Sequence, residues 1–406
     1  MAPGGERGDA VNMLRDYQAS EALAAAIRVM DDLLPAAITL RQSLHADPEV
    51  GGTEDRTVQK LLGYLAPVEV TRVSEGFFCR TGERGPAFGV RAELDALPVQ
   101  ESSSYPFPSQ APGIGHLCGH DVHMAALALV TRAFRSVDLG CRLVSVFQPR
   151  EEAAPSGAVD MLADSGFRQL GLSAMIGLHL QPVLSEGSFS AAPGPVNASH
   201  DDFSIRVIGR PSHGAYPHLS RDPIVAASQL VCGLQTLTSR ESDPMQPSVV
   251  TVGRIHGGSA VNAIPGEVEL GGTVRSYSAD SRSRLHDGLR RIASGIALAA
   301  DVDIEVRIGL GEPVMVNDAD VAATVTSALA SAGLTEAPAL RSCGSDDFAY
   351  YGDAVPSAMI FVGTGSGDHS SPGLHHPAFA PADATVRNLA QIMLVSLAAL
   401  AENGRP

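Results

Sequence analysis

Cysteine is scarce in this chain of 406 residues, and long apolar runs are absent. The cysteines are odd in number and scattered: Cys79, Cys118, Cys141, Cys232 and Cys343. This is not the pattern of a disulfide framework, so a reducing, cytoplasmic setting is expected. The first residues lack the apolar segment of a signal peptide, and no run of about 18 apolar residues predicts a membrane span. Residues 1–18, which combine glycine, proline and mixed charges, are expected to form a flexible leader.

Positive charge is also in short supply. The chain has 29 Lys and Arg against 45 Asp and Glu, a formal net charge of -16. Nucleic acids and anionic membrane surfaces attract clustered Lys and Arg, so neither is expected as a partner. Hydrophobic residues make up 44% and charged residues 18%, which is typical of a globular protein. At roughly 150 residues per domain, the length indicates two or three domains.

Strands and helices alternate at both ends of the chain. Residues from Tyr17 to Leu65 follow a helical pattern. Apolar runs then predict buried strands at Pro86–Ala92, Arg142–Phe147, Ala174–Leu180 and Ser357–Gly363, with helices at Met124–Phe134 and Pro381–Ala401. This order favours an α/β fold with a mixed, largely parallel sheet flanked by helices.

A different order occupies the middle of the chain. Strands and helices are predicted at Asp202–Ile208, Pro223–Ser239, Ser248–Ile255, Val268–Tyr277, Ser281–Ala300 and Val302–Gly309. Asp222 and Pro223 fit the cap and first turn of the first of these helices. The order βαββαβ is that of a ferredoxin-like domain. We therefore expect residues 196–311 to be inserted into a catalytic domain formed by 19–195 and 312–406.

Histidine and cysteine concentrate in one glycine-containing segment, residues 116–123, between a predicted strand and a helix. Loops at strand ends of an open α/β sheet are common ligand sites. Cys118 and His120 offer a thiolate and an imidazole, which are good zinc ligands. Taken alone, Cys118 could instead be a small buried residue, or a nucleophile with a histidine base.

Further donors follow other predicted strands. Glu151 and Glu152 come directly after one strand, so one carboxylate could bind a metal while the other serves as general base. His179 lies in an apolar strand, and His375 and His376 lie in a late loop. Each position alone has an ordinary structural explanation, such as a solvated turn or a core histidine. Together they supply a two-metal site with a spare carboxylate, and no Gly-x-Ser-x-Gly or phosphate-binding loop competes with it.

The motifs in their order resemble the dinuclear zinc aminoacylase and carboxypeptidase family, in the branch of hippurate hydrolase and the indoleacetyl-amino-acid hydrolases. The similar segments are RQSLHADPEVGGTE (41–54), RAELDALPVQE (91–101), GHLCGHDVHMAAL (115–127), FQPREEAAPSGAVDML (147–162), IGLHL (176–180), SHGAYPHLSRDPIVAA (212–227), VNAIPGEVELGGTVR (261–275), GSDDFAYY (344–351) and LHHPAF (374–379). The resemblance extends from about Arg41 to Val386. Departures from the family pattern include Glu93 in place of Asp, Arg150 in place of a small residue, and His376 in place of Ser.

The resemblance implies two divalent metal ions per chain, with zinc expected and manganese or cobalt as alternatives. The roles that it implies are a bridging thiolate for Cys118, one metal for His120 and His179, the other for Glu152 and His375, the general base for Glu151, and ligand orientation for Asp95. It also implies that the inserted domain dimerises. His213 would then reach the partner's active site, and Asn262 and Arg275 would contact substrate.

These features predict a metal-dependent amidohydrolase that cleaves the amide bond of N-acyl amino acids and works as a homodimer joined through residues 196–311. Zinc lowers the pKa of bound water to about 7, and Glu151 would accept the proton of that water. One alternative is a carboxypeptidase or dipeptidase on the same scaffold. Two others are a cysteine hydrolase that uses Cys118 and a metal-free binding protein that kept the fold.

Overall fold

The computed structural model describes residues 20–103, 105–367 and 370–404, which divide into two compact units. Unit 1 comprises the described residues up to 194 together with 316–340 and those from 350 onward. Unit 2 comprises 195–315 and 341–349. The predicted leader, residues 1–18, lies outside the described residues. Unit 2 therefore begins and ends near the expected 196–311, but it also takes in a later segment, and nothing in the sequence pattern indicated this return.

The helices are defined within the described residues. They are α1 (Glu21–Ala46), α2 (Asp55–Leu65), α3 (His120–Phe134), α4 (Gly157–Ala163), α5 (Ser165–Arg168), α6 (Pro223–Thr236), α7 (Ala279–Ala300), α8 (Ala319–Ser331), α9 (Ala349–Gly352) and α10 (Ala384–Asn403).

The strands are mostly short. They are β1 (Val70–Val73), β2 (Gly76–Thr81), β3 (Ala87–Glu93), β4 (Arg142–Gln148), β5 (Leu172–Ser185), β6 (Ser188–Ser190), β7 (Gly194–Asn197), β8 (Ser199–Ile208), β9 (Ser212–His213), β10 (Ser248–Gly257), β11 (Ala263–Ile264), β12 (Glu267–Ser276), β13 (Asp303–Leu310), β14 (Met315–Asn317), β15 (Thr335–Glu336) and β16 (Ser357–Gly365).

Unit 1 is built on an eight-stranded sheet in the order β1-β2-β4-β3-β5-β16-β6-β15. The central strands β4, β3, β5 and β16 run parallel to one another, whereas β2 pairs antiparallel with β1 and β4, and β6 pairs antiparallel with β16. Every residue of β3 is buried, as expected of a parallel strand covered on both faces. The predicted α/β class with a mixed, largely parallel sheet is confirmed.

Helices α1, α3 and α10 pack on one another within unit 1. Helix α10 is the described helix long and apolar enough to cross a membrane by length and composition alone. However, 83% of its most apolar window is buried inside the protein. A helix that is apolar on every side is what the interior of a large folded unit requires.

The continuous helical pattern predicted from Tyr17 to Leu65 is wrong between α1 and α2. Pro48 and the glycine pair at 51 and 52 interrupt it, and Ala96 N–H donates to Glu49 O there at 2.8 Å. Strands β1 and β2 and helix α8 were not predicted. The hairpin of β1 and β2 turns through Ser74 in the left-handed region (φ 52°), a position where serine gives little sequence signal.

Unit 2 contains a four-stranded antiparallel sheet in the order β10-β12-β8-β13. Helices α6 and α7 pack against each other and against this sheet. The chain order β8-α6-β10-β12-α7-β13 is βαββαβ. Asp222 caps α6 by accepting the N–H of Ile224 at 2.9 Å, and Pro223 occupies the first turn, as the sequence predicted.

Candidate metal centre

Most of the predicted donors in unit 1 are carried by the central parallel strands and the segments that follow them. Asp95 follows β3, the two glutamates follow β4, and His179 lies within β5. His375 lies in the loop after β16. Because parallel strands present their carboxyl ends at one edge of a sheet, residues distant in sequence meet there.

Helix α3 supplies the next donors at its first turn. Its N-cap is Gly119 in the left-handed conformation (φ 89°), which favours glycine because side chains with a Cβ are strained there. The helix therefore begins at His120, four residues before the predicted start at Met124. Cys118 lies just before this turn, and both residues are buried.

The donor atoms form overlapping sets of three, and within each set all atoms lie within 4.8 Å of one another. Three of these sets are Cys118 with His120 and His179, Cys118 with Glu152 and His375, and His120 with Glu151 and Glu152. Cys118 Sγ lies 3.3 Å from His179 Nε2, and His375 Nε2 lies 3.1 Å from Glu152 Oε1. The first two sets share the Cys118 sulfur, so this sulfur would be the donor common to both ions if two metal ions were bound here.

The histidine rings are turned toward this centre by hydrogen bonds on their other nitrogens. Nδ1 of His120 lies 2.8 Å from Asp95 O, and Nδ1 of His179 lies 2.8 Å from Leu180 O. Such contacts fix the tautomer and aim Nε2 at a metal. Asp95 Oδ2 also accepts the N–H of Glu152 at 2.8 Å. Asp95 thus contacts the backbone of one donor and lies beside the ring of another.

One of these donor atoms, His120 Nε2, is buried without a hydrogen-bond partner among the described residues. Glu152 Oε1 is also buried, and it lies 3.1 Å from His375 Nε2. A buried polar atom without a partner costs about 1–3 kcal/mol, so native structures rarely leave one unpaired. A divalent metal ion would give His120 Nε2 a partner, and a set of thiolate, imidazole and carboxylate donors suits such an ion. The residues present therefore fit a metal pair.

The electrostatics of the cluster agree with this assignment. Burial, and then the carboxylates of Glu152 and Glu151, raise the pKa of the Cys118 thiol well above its ordinary value. Burial raises the pKa of Asp95 to about 7. The cluster therefore crowds acidic groups together with too little positive charge. A metal ion supplies that charge and deprotonates a coordinating thiol outright.

The two adjacent glutamates point to different neighbours. Glu152 faces His375, whereas Glu151 Oε2 lies 3.8 Å from His120 Nε2. Burial alone would raise the pKa of Glu152, but the hydrogen bond from His375 and the nearby His120 outweigh it and lower that pKa. Glu152 is therefore stabilised as a carboxylate anion among the candidate donors, and Glu151 lies beside them.

The loop histidines are also distinguished by their surroundings. His375 adopts a left-handed backbone conformation (φ 63°), and its N–H donates to Leu117 O at 2.8 Å. The ring of His376 accepts the N–H of Ala378 at 3.1 Å through Nδ1. The geometry thus joins His375, rather than His376, to Cys118 and Glu152.

A buried pair that sequence reasoning left without a role supports the donors. His123 Nδ1 lies 2.8 Å from Glu93 Oε2, and its Nε2 accepts the N–H of Leu180 at 3.3 Å. Burial would raise the pKa of Glu93, but Arg91 and His123 outweigh it and hold it well below its usual range. The helical spacing of His123 three residues after His120 was the available signal for a second inward-facing ring.

The remaining predicted site residues belong to unit 2. His213 on β9 pairs with Ala263 on β11, and the N–H of Gly214 donates to Asn262 O at 2.8 Å. His213 and Asn262 are therefore neighbours within that unit. Arg275, on β12, donates from Nη1 to Cys343 O at 2.8 Å.

Comparison with known proteins identifies the family. Residues 89–398 match the model of the peptidase family M20/M25/M40. The chain belongs to this family. It is 36% identical over 350 residues to N-acetyl-L-cysteine deacetylase of Bacillus subtilis strain 168, covering 84% of this chain and 82% of that protein. It is 33% identical over 355 residues to N-acetyldiaminopimelate deacetylase of Exiguobacterium sibiricum, covering 85% and 94%.

The fold comparison agrees with the sequence comparison. A dinuclear metal-binding peptidase of the M20 family from Bacillus subtilis superimposes with a TM-score of 0.79 at 30% identity, covering 92% of this chain and 99% of that one. The predictions of an amidohydrolase in this family and of divalent metal dependence are confirmed.

Proposed function

We propose that this M20 family member hydrolyses N-acyl amino acids and uses two zinc ions to do so. The observation that carries the proposal is the pair of three-donor sets that share Cys118, with Glu151 beside them. The donor types favour zinc over harder cations, because thiolate and imidazole ligands are soft or intermediate. The names of the relatives described above, both deacetylases of N-acetylated amino acids, support this substrate class.

When bound, the metal pair polarises the amide carbonyl and lowers the pKa of water. Glu151 accepts the proton of the attacking water and then donates it to the departing nitrogen. Glu152 is less suited to this work because its carboxylate faces His375. The Asp95 carboxylate accepts the backbone N–H of Glu152 and so helps to keep the carboxylates of Glu151 and Glu152 apart.

We propose three further roles for residues of unit 2. His213 stabilises the oxyanion of the tetrahedral intermediate, Asn262 contacts the substrate, and Arg275 pairs with the carboxylate of the amino acid product. An arginine suits that role because its guanidinium forms two parallel hydrogen bonds to a carboxylate.

A homodimer through residues 196–311 would deliver His213 from one subunit to the other. Strand β10 lies at the end of its sheet, and Ile255 on it is 52% exposed. Ile224 and Val225 on α6 are also exposed, and Ile224 lies next to Gly258 after β10. An open strand edge beside exposed apolar side chains is suited to pairing with a second copy. Five unpaired cysteines support placement in the cytoplasm.

A substrate panel with metal analysis tests the proposal. N-acetyl, N-benzoyl and long-chain N-acyl amino acids are compared with dipeptides on one sample of known zinc content, with Glu151→Gln as the inactive control. Hydrolysis of N-acyl amino acids well above dipeptides, with about two zinc ions per chain, is expected. Preference for dipeptides would establish the peptidase alternative. Full activity in metal-free protein would overturn the metal mechanism.

A further inference from the structure

Arg150 directly precedes the two glutamates and has an unusual backbone. Its φ is +49°, in the left-handed region that residues with a Cβ rarely adopt. This conformation costs about 1–2 kcal/mol, so the surroundings must hold it in place.

Both backbone polar groups of Arg150 are engaged. Its N–H donates to the buried carboxylate of Glu54 at 2.9 Å, and its carbonyl accepts the N–H of Gly157 at 3.2 Å. A Cβ on Gly157 would lie only 1.8 Å from Pro149 O, so the chain returns here with no room for a side chain. The hydrogen bond between Arg150 and Gly157 thus holds together the two ends of the segment that carries Glu151 and Glu152.

The guanidinium closes the same segment from outside. Nε donates to Pro155 O at 3.0 Å, Nη1 to Glu75 and Nη2 to Asp160. The side chain of Arg150 is only 11% exposed. It therefore joins the segment's far end to the β1–β2 turn and to α4. The carboxylates of Glu75 and Asp160 also balance the positive charge of Arg150, which would otherwise repel cations at the neighbouring donors.

We infer that Arg150 is a positioning residue for Glu151 and Glu152. The contacts of the Arg150 side chain with Pro155, Glu75 and Asp160 are called the clamp. The clamp keeps the carboxylates of Glu151 and Glu152 divergent, so that Glu152 binds metal while Glu151 takes the proton. This inference rests on the proposed roles of the two glutamates. It assigns Glu75 and Asp160, which are partly exposed, to the support of the catalytic segment.

Glycine and lysine at position 150 separate the backbone from the side chain. Arg150→Gly accepts the left-handed conformation without strain but removes the clamp. Zinc affinity is measured by competition with a chromophoric chelator, together with kcat, KM and Tm. We expect zinc affinity to fall about 10–100-fold, the range for groups that orient ligands, and kcat to fall with little change in KM. Arg150→Lys keeps the charge but lacks the planar fork, and should recover only part of the loss.

Two further variants keep the inference falsifiable. Arg84→Gly is the matched control. Arg84 lies just before the amino end of β3 and forms an exposed ion pair with Asp138, so its loss should leave metal affinity and kcat unchanged. The double variant Glu75→Gln/Asp160→Asn removes both anchors and should reproduce the effect of Arg150→Gly even if that protein folds poorly. Normal affinity and kcat in either the glycine variant or the double variant would overturn the inference. Absence of zinc from the wild-type protein would instead overturn the proposed function.

Discussion

Substitution of Glu151 by glutamine and substitution of Glu152 by glutamine should impair hydrolysis for different reasons. Glutamine keeps the shape of either side chain but accepts no proton and is a weaker metal ligand. The Glu151 side chain is only 9% exposed, so bulk water has little access to replace the missing base. The Glu152 carboxylate faces His375, and its buried Oε1 lies 3.1 Å from His375 Nε2.

The proposed role of each glutamate sets the expected size of the loss in turnover or in metal affinity. Loss of a positioned general base costs at least about 100-fold in turnover, a rise of about 2.7 kcal/mol in the barrier. Glu151→Gln should show this loss in kcat and retain its metal. Glu152→Gln should bind metal at least about 10-fold more weakly, because an anionic ligand is lost.

The assay is turnover of an N-acyl amino acid during zinc titration, with metal content measured on the same samples. Added zinc should restore part of the activity of Glu152→Gln and none of that of Glu151→Gln. If zinc rescues Glu151→Gln instead, the roles of the pair are reversed. If neither variant loses turnover, the cluster in unit 1 is not the catalytic site.

Three further predictions concern metal, assembly and stability. Chelation should abolish hydrolysis and added zinc should restore it; activity that survives proven metal removal but not thiol alkylation would identify Cys118 as a nucleophile. Inactive His213→Ala and Glu151→Gln chains, mixed after reversible dissociation, should recover up to about a quarter of wild-type activity, because half of the dimers carry one intact composite site of two; no recovery despite subunit exchange would exclude a shared site. Asp201→Asn should destabilise unit 2 by about 3 kcal/mol at neutral pH by breaking a buried ion pair with Arg282. Burial would raise the pKa of Asp201, but Arg282, the Gly311 N–H and His286 outweigh it and lower that pKa. The difference in Tm between the wild-type protein and Asp201→Asn should therefore be present above the ordinary carboxyl pKa and shrink as pH falls through the pKa of the folded state. A difference in Tm that grows in acid would contradict this sign.

Much of the fold was predictable because its elements carry strong local patterns. The central strands are largely apolar, since a parallel strand is buried on both faces, and the helices of unit 2 have caps and regular periodicity. The hairpin of β1 and β2 and the break after α1 were missed. Their signals are weak, because a left-handed serine and a short bridging segment depend on contacts distant in sequence.

The sequence by itself determined the family and the reaction class, because the donors and their motifs occur in one order along the chain. Only the tertiary structure decided which atoms meet. It joined His375 rather than His376 to Cys118 and Glu152, and it disclosed Arg150 as the residue that closes the glutamate segment. The physical reason is that residue types are local properties, whereas a metal site depends on distances of a few ångströms. Those distances are set by strand register, helix starts and buried hydrogen bonds between segments far apart in sequence.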